Sequence, residues 1–377
     1  MKEISINLLR LRKATGLSQS ELAAKAGISR LAYVNIESGK SVPKSNTLLS
    51  ISQALQVGIF SLVRPTPTFR SLRLRSGISL SARQRALKNQ EMITLAEWLQ
   101  AYRELETLLG NSRPYAFSNP SPGDPEEAAG CARGVLSVPI DCPIFDLPSI
   151  ISSAGIKLYF LNARIPGFSG ASVDILDGGP CIAINRYGMS VERQIFTTAH
   201  EMGHLLLHRE SYGEIAESEA QLHRQQEKEA DTFASFFLMP RELFKQRWNE
   251  VGGLHWIDRV LAVKRYFRVS YQVVLFRLGE ERKSLPDLRR DFALGYQRMS
   301  GHDLKNHFEP DALVESMPLH EPQGLGRLDF CEERFSRLVR TALEKDGITI
   351  SRAAELLRIP LDKMRELRQS WLEEPES

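Results

Sequence analysis

Two histidines four residues apart, with a glutamate beside the first, carry the most specific chemistry in this chain: His200-Glu201-Met202-Gly203-His204. They lie in an apolar-rich run, residues 192–208, whose spacing predicts a helix. Side chains four apart share one face of a helix, so both imidazoles can reach a single metal ion. Glu201 then stands next to them, placed to take a proton from an activated water. A helix with two satisfied surface histidines would show the same five letters, so the weight falls on what surrounds them.

A second segment supplies that context. Glu227-Lys228-Glu229-Ala230-Asp231 runs into an apolar stretch that stops at Pro240, and it reads as another helix. A catalytic zinc takes three protein ligands and keeps one position open. Glu227 is the expected third ligand, and Asp231, on the same face, would orient a ligand histidine through its other ring nitrogen. Glu229 is the rival, lying further round the helix without an acidic partner four residues on. His208 extends the histidine stripe as a packing or orienting residue, since a fourth ligand would close the open position. Tyr187, Tyr212 and His223 are candidates by type for stabilising an oxyanion. Zn2+ is the expected cofactor, and Mn2+ is compatible with two histidines and a carboxylate.

Three blocks in order, residues 182–185, residues 192–208 and residues 227–240, closely resemble the ImmA/IrrE family of metallopeptidases. The resemblance covers about residues 130–280. It implies a gluzincin-type site and cytosolic cleavage of regulatory proteins, typically phage-type or stress repressors. Before the histidine helix come three short runs with strand character, residues 156–160, 171–176 and 181–185, separated by Gly, Pro and Asp clusters. A small sheet packed on the metal-bearing helices is expected. The run Cys181 to Asn185 either rims the cleft and pairs with an extended peptide, or is an ordinary internal strand.

An independent signal sits at the N-terminus. Ser18 and Glu21 form a capping box that starts one helix, Ala26-Gly27-Ile28 makes a tight turn, and Ser29 caps the next helix. Residues 4–62 closely resemble the Xre-type helix-turn-helix of phage repressors. The resemblance places the second helix, from Ser29 to Glu37, in the major groove. Carried over, it implies Arg30, Tyr33 and Asn35 as base-edge readers, with Gln19 and Lys40 at phosphates or the groove edge and Ser29 beside them. Charge agrees: residues 1–109 hold 16 Lys and Arg against 7 Glu and no Asp, a net +9 on a chain whose total is +3. A basic N-terminal third is what phosphate neutralisation requires.

The expected fold class is multi-domain and mainly α: an all-α helix-turn-helix unit at 1–62, an α+β zincin-like peptidase unit with a small sheet at 130–250, and a helical C-terminal region at 251–377. Residues 63–129 are a connector. Within it, Arg64-Pro65-Thr66-Pro67 breaks the first unit and Arg70, Arg73 and Arg75 follow. Residues 79–109 read as a long helix with Met92, Leu95, Leu99, Tyr102, Leu105 and Leu109 on one stripe, and residues 110–130 read as an exposed Pro-rich linker. Helical pairs near 260–278 and 348–367 serve packing or, less in keeping with their mixed charge, DNA.

No run of 18 apolar residues and no signal peptide are present, and Cys131, Cys142, Cys181 and Cys331 form no CxxC pair. A cytoplasmic protein with no membrane partner is expected. Its partners would be a double-stranded DNA operator, a regulatory protein substrate and a second copy of itself. A second functional class stays open: a repressor or antitoxin-like regulator whose metal-bearing unit senses a ligand without catalysis. The intact Glu201 favours the peptidase, because a pure sensor needs no base beside its metal.

Overall fold

The computed structural model describes residues 2–63, 69, 72–74, 80–119, 121–212, 220–280, 284–304, 309–310 and 325–373. The expected break at residues 64–67, with Arg70 and Arg75, lies outside them. Five helices form the N-terminal unit: α1 (Lys2–Thr15), α2 (Gln19–Lys25), α3 (Arg30–Glu37), α4 (Ser45–Leu55) and α5 (Phe60–Val63). Both halves of the capping box are present: the Ser18 hydroxyl accepts from Glu21 N at 3.2 Å, and the Glu21 carboxylate accepts from Ser18 N at 2.7 Å. Ser29 caps α3 by accepting from Ala32 N. Leu8, Leu22, Tyr33, Ile51, Leu55 and Leu62 fill the core of the unit.

Glu37 is a buried carboxylate at the centre of this unit. Arg12 donates Nε at 2.6 Å and Nη2 at 3.1 Å, Tyr33 donates its hydroxyl at 3.0 Å, and Gln19 donates Nε2. Tyr33 is fully buried. It therefore cannot read a base edge, which corrects the role implied for it; its ring is core and its hydroxyl is committed to Glu37.

The remaining chain builds around one sheet. Its strands are β1 (Leu72–Leu74), β2 (Lys157–Leu161), β3 (Gly170–Val173) and β4 (Cys181–Asn185), in the order β1-β3-β4-β2. β4 runs parallel to β2 and antiparallel to β3, and β1 is antiparallel to β3. The run Cys181 to Asn185 is therefore the internal strand of the two readings: both its edges are paired, and it cannot rim a cleft. Alternate side chains along a strand point to opposite faces. Leu158, Ile182 and Ile184 enter one core, while Tyr159, Leu161, Ala171, Val173, Cys181 and Ala183 enter another.

The first core belongs to α7 (Pro125–Val135), α8 (Leu147–Ser153), α9 (Val191–Leu207), α10 (Ala220–Leu238), α11 (Arg241–Glu250), α12 (Trp256–Phe267), α13 (Tyr271–Gly279) and α14 (Leu285–Ser300). The second belongs to α6 (Ala82–Leu108), α15 (Arg334–Glu344), α16 (Ile350–Leu357) and α17 (Leu361–Glu373). The sheet is thus covered on both sides, and its near-continuous apolar strands follow from that. The stripe on α6 is core, with Met92, Leu95, Leu99, Tyr102 and Leu105 all buried. Each such side chain contributes about 1.5–3 kcal/mol by leaving water.

Packing runs straight across positions 130 and 250. Part of the expected linker is helical: Asp124 caps α7, Pro125 opens it, and Ala128, Ala129 and Ala132 press against α10. The pair α12–α13 is part of the first core. The pair α16–α17 is clasped to the back of the sheet, where Arg358 donates to Tyr159 Oη at 2.6 Å and to Thr94 O at 3.2 Å. Asp362 and Glu366 are exposed on α17 among Lys363, Arg365 and Arg368, a surface of mixed charge. A buried carboxylate, Glu106, joins three elements by accepting from Arg334 at 2.8 Å with Lys157 Nζ at 3.3 Å. Among the described residues no helix is long and apolar enough to cross a membrane.

One close approach fixes the geometry of α9 and α10. A Cβ added at Gly203 would stand 3.0 Å from Phe233 Cδ1 and 3.3 Å from Ala230 Cα. A side chain there would make Phe233 and α10 give by a few tenths of an ångström, so glycine allows the closest approach, although glycine inside a helix costs about 1 kcal/mol relative to alanine. Gly203→Val is expected to destabilise the protein by about 2–3 kcal/mol in urea denaturation and to lower divalent-metal binding, because it forces α10 away from α9; unchanged stability and metal content would contradict this packing.

For the N-terminal unit, Glu37→Gln is expected to cost about 3 kcal/mol, since it strands the Arg12 guanidinium. Burial alone would raise the Glu37 carboxyl, but hydrogen bonds from Arg12, Gln19 and Tyr33 outweigh it and hold it below the usual range. Its stabilisation is therefore full above the unfolded value of about 4.3 and is lost as pH falls through the lower folded value. Acid titration of stability should show that loss in the wild type and a flatter profile in Glu37→Gln.

Candidate metal centre

Ser190 caps α9 by accepting from Arg193 N, and two turns later the helix presents His200 and His204, both buried. α10 crosses it at Gly203 and brings up Glu227. The donor atoms His200 Nε2, His204 Nε2 and a Glu227 carboxylate oxygen converge within 4.8 Å of one another. The two Nε2 atoms are 3.0 Å apart, Glu227 Oε1 is 3.2 Å from His204 Nε2, and Glu227 Oε2 is 3.5 Å from His200 Nε2. Ligands about 2.0–2.2 Å from a tetrahedral ion stand roughly 3.3 Å from each other, and the separation of the two Nε2 atoms and the approach of each Glu227 oxygen to one of them lie close to that value. The donor set fits a divalent cation.

The far sides of both rings are held. His200 Nδ1 meets Asp231 Oδ1 at 2.7 Å. His204 Nδ1 meets His208 Nδ1 at 2.9 Å, and His208 Nε2 meets Glu229 Oε2 at 2.9 Å. A single arrangement of protons satisfies these contacts with neutral rings. His200 and His204 each donate from Nδ1, His208 accepts at Nδ1, and His208 donates from Nε2 to Glu229. Both Nε2 lone pairs are then left facing each other, which only a positive charge between them stabilises. Glu229, the rival ligand, is placed on His208 and not among the converging atoms.

The electrostatics describe the same demand. Burial lowers the His200 imidazole, but hydrogen bonds to Asp231 and Glu227 outweigh it and push it up to about 9. Burial drives His204 well below its ordinary value, and charge on His200 adds to this. Burial would raise the Glu227 carboxyl, yet hydrogen bonds from His200 and His204 hold it far below the usual carboxylate range. A proton on His200 fills the role that a cation fills better.

Glu201 is buried one residue from His200, and Ser172 on β3 donates its hydroxyl to Glu201 Oε2 at 2.8 Å. Tyr212 donates in turn to Ser172 Oγ at 2.9 Å. The start of β3 lies so close that a Cβ on Gly170 would stand 3.0 Å from Glu201 Oε1. Of the three oxyanion candidates, Tyr212 joins the site through Ser172 and His223 Nε2 is 3.8 Å from Glu227 Oε1, while Tyr187 is exposed on the turn after β4. Ser172 was not singled out in the sequence, and Arg73 was noted there only as one of the connector arginines. Arg73 approaches from β1, donating to Gln226 Oε1 at 2.8 Å with Nη2 3.6 Å from Glu227 Oε1. A cleft of about 270 Å3 opens beside Asp231 and is lined by Arg193, Phe196, Thr197, Val273 and Phe276.

In the N-terminal unit Arg30 and Lys40 are exposed, and Asn35 is half-buried on α3. The Ser29 hydroxyl is occupied as the α3 cap. Gln19 is half-buried with its amide donating to Glu37, so a phosphate contact would share that amide with a buried carboxylate. Leu31 is 71% exposed, an apolar residue out of phase with the buried Tyr33 and Ile36; that phase was the signal that it faces outward beside Asn35.

A family model described as an IrrE N-terminal-like domain matches residues 151–279, and one described as helix-turn-helix matches residues 8–62. The uncharacterized HTH-type transcriptional regulator y4dJ of Sinorhizobium fredii is 38% identical over 65 residues, which make up 17% of this chain and 84% of that protein. The chain therefore belongs to the helix-turn-helix family and carries, behind that unit, an IrrE N-terminal-like domain.

Proposed function

We propose that this protein is a DNA-binding transcriptional regulator whose second unit is a metal-dependent endopeptidase that cleaves a repressor or other regulatory protein. The observation that carries this reading is the convergence of His200, His204 and Glu227 donor atoms within 4.8 Å, one residue from the buried Glu201. In this reading His200, His204 and Glu227 hold Zn2+, with Mn2+ as an alternative, and Asp231 orients His200. When bound, the ion supplies Lewis-acid polarisation of a peptide carbonyl and of water. Glu201 takes a proton from that water as its oxygen adds to the carbonyl carbon, and returns the proton to the amine as the C–N bond breaks. Ser172 fixes the Glu201 carboxylate through one oxygen, and Tyr212 fixes Ser172. Burial keeps the base out of bulk water, so its charge acts at short range on the reacting atoms.

The N-terminal unit would hold the enzyme at an operator, binding as a dimer to two half-sites. Bringing enzyme and a DNA-bound regulator to one site raises their effective concentration. Arg30, Leu31 and Asn35 are the residues we assign to base edges, and Lys40 to phosphate.

Glu201→Gln is expected to keep its metal, measured by elemental analysis, while lowering cleavage roughly 10²–10⁴-fold. Comparing the proteomes of cells expressing either form should show one or a few regulatory proteins depleted only by the wild type. Identical proteomes would remove the peptidase and leave the ligand-sensing regulator.

On DNA sites selected from a random library, Arg30→Ala should weaken binding by about 1–3 kcal/mol and relax one position, and Lys40→Ala should reduce the salt slope by about 1. Tyr33→Phe should lower stability and leave the preferred sequence unchanged; a changed sequence preference would put Tyr33 back at the bases.

A further inference from the structure

The strand beside the base is β3, since Ser172 holds Glu201 and Gly170 leaves room for it. An extended peptide adds to a sheet through an open strand edge, where main-chain hydrogen bonds bind it. One edge of β3 is paired with β4. β2 forms the far edge of the sheet, two strand spacings from β3 and roughly 10 Å away. A peptide that lies next to Glu201 must therefore use the other edge of β3, and that edge is already taken by Leu72–Leu74 of the connector. β1 pairs antiparallel, with Arg73 directly opposite Ser172.

The side chain of Arg73 enters the site itself. It is 3% exposed, donates Nη1 to Gln226 and brings Nη2 to 3.6 Å from Glu227. Its Nε and Nη2 are buried without a hydrogen-bond partner. A guanidinium so placed is costly to bury. Its charge also opposes a divalent ion at Glu227. A ladder of three residues offers few main-chain bonds to offset both costs.

We propose that β1 is a built-in occupant of the substrate groove, a strap from the connector that a substrate must replace with an extended segment of its own. This rests on the peptidase reading above. The strap excludes peptide while it is docked, and its poorly satisfied arginine makes it displaceable. It begins nine positions after α5 ends, so the DNA-binding unit and the groove share one short tether.

The test separates binding from turnover by working in zinc-loaded Glu201→Gln protein, with fluorescein-labelled β-casein as the unfolded peptide probe. Adding Arg73→Pro and Leu74→Pro removes at least one of the strap's amide donors whichever pairs of the ladder are the hydrogen-bonded ones. Hydrogen exchange at residues 171–173 should then accelerate at least tenfold, and casein anisotropy should report at least fivefold tighter binding. Leu72→Cys with Val173→Cys locks the strap, because directly opposed residues lie within disulfide range. The oxidised form should bind casein at least fivefold more weakly than the same protein after reduction. Exchange that accelerates without any gain in casein binding, or a locked form that binds as tightly as the reduced one, overturns the proposal. Tighter binding on release, with no cleavage by the corresponding Glu201 proteins, upholds the strap and removes the peptidase instead.

Discussion

Two imidazole nitrogens 3.0 Å apart, lone pair to lone pair in a buried site, are stable only with positive charge between them. Much of the surrounding structure serves that constraint. Gly203 lets α10 come close enough for Glu227 to join the pair. Asp231 on one side, and His208 with Glu229 on the other, fix the rings so that both Nε2 atoms point inward. An isolated carboxylate buried beside two histidines would be destabilising; the same carboxylate completing a cation site is not. The close approach of α9 and α10 at Gly203 serves that chemistry, because it brings Glu227 to the two imidazoles.

Local codes were legible in the sequence. The Ser18–Glu21 capping box, the Ser29 cap, the two histidines on one helix and the Glu227–Asp231 pair all act within four residues, and the helical period determines where their side chains go. Three short strands were also visible, because their apolar runs are bounded by turn residues. The helix at α7 carried a readable signal, an Asp cap followed by Pro and small apolar residues at helical spacing, which the Pro and Ser content of the preceding residues obscured.

What was hidden depends on partners far along the chain. Tyr33 was carried over from the resemblance as a base reader, and its burial depends on packing and on a hydrogen bond to the buried Glu37 that no local pattern encodes. The position of residues 181–185 inside the sheet follows from strand order, which no local pattern encodes. β1 is three residues whose only reason to be extended is β3, about a hundred positions later. The stripe on α6 was visible, but its partner, the C-terminal helices behind the sheet, was not. Those helices close the second core and so belong to the scaffold of the metal site, with Glu106, Lys157 and Arg334 tying them across it.

The central claim is most directly tested by X-ray absorption spectroscopy at the zinc edge of the purified, zinc-loaded protein. The account predicts one ion per chain with two imidazole nitrogens and carboxylate oxygen among its nearest neighbours, and a spectrum that loses one imidazole in His204→Ala. Sulfur ligation, or a wild-type spectrum unchanged by removing His204, would contradict it.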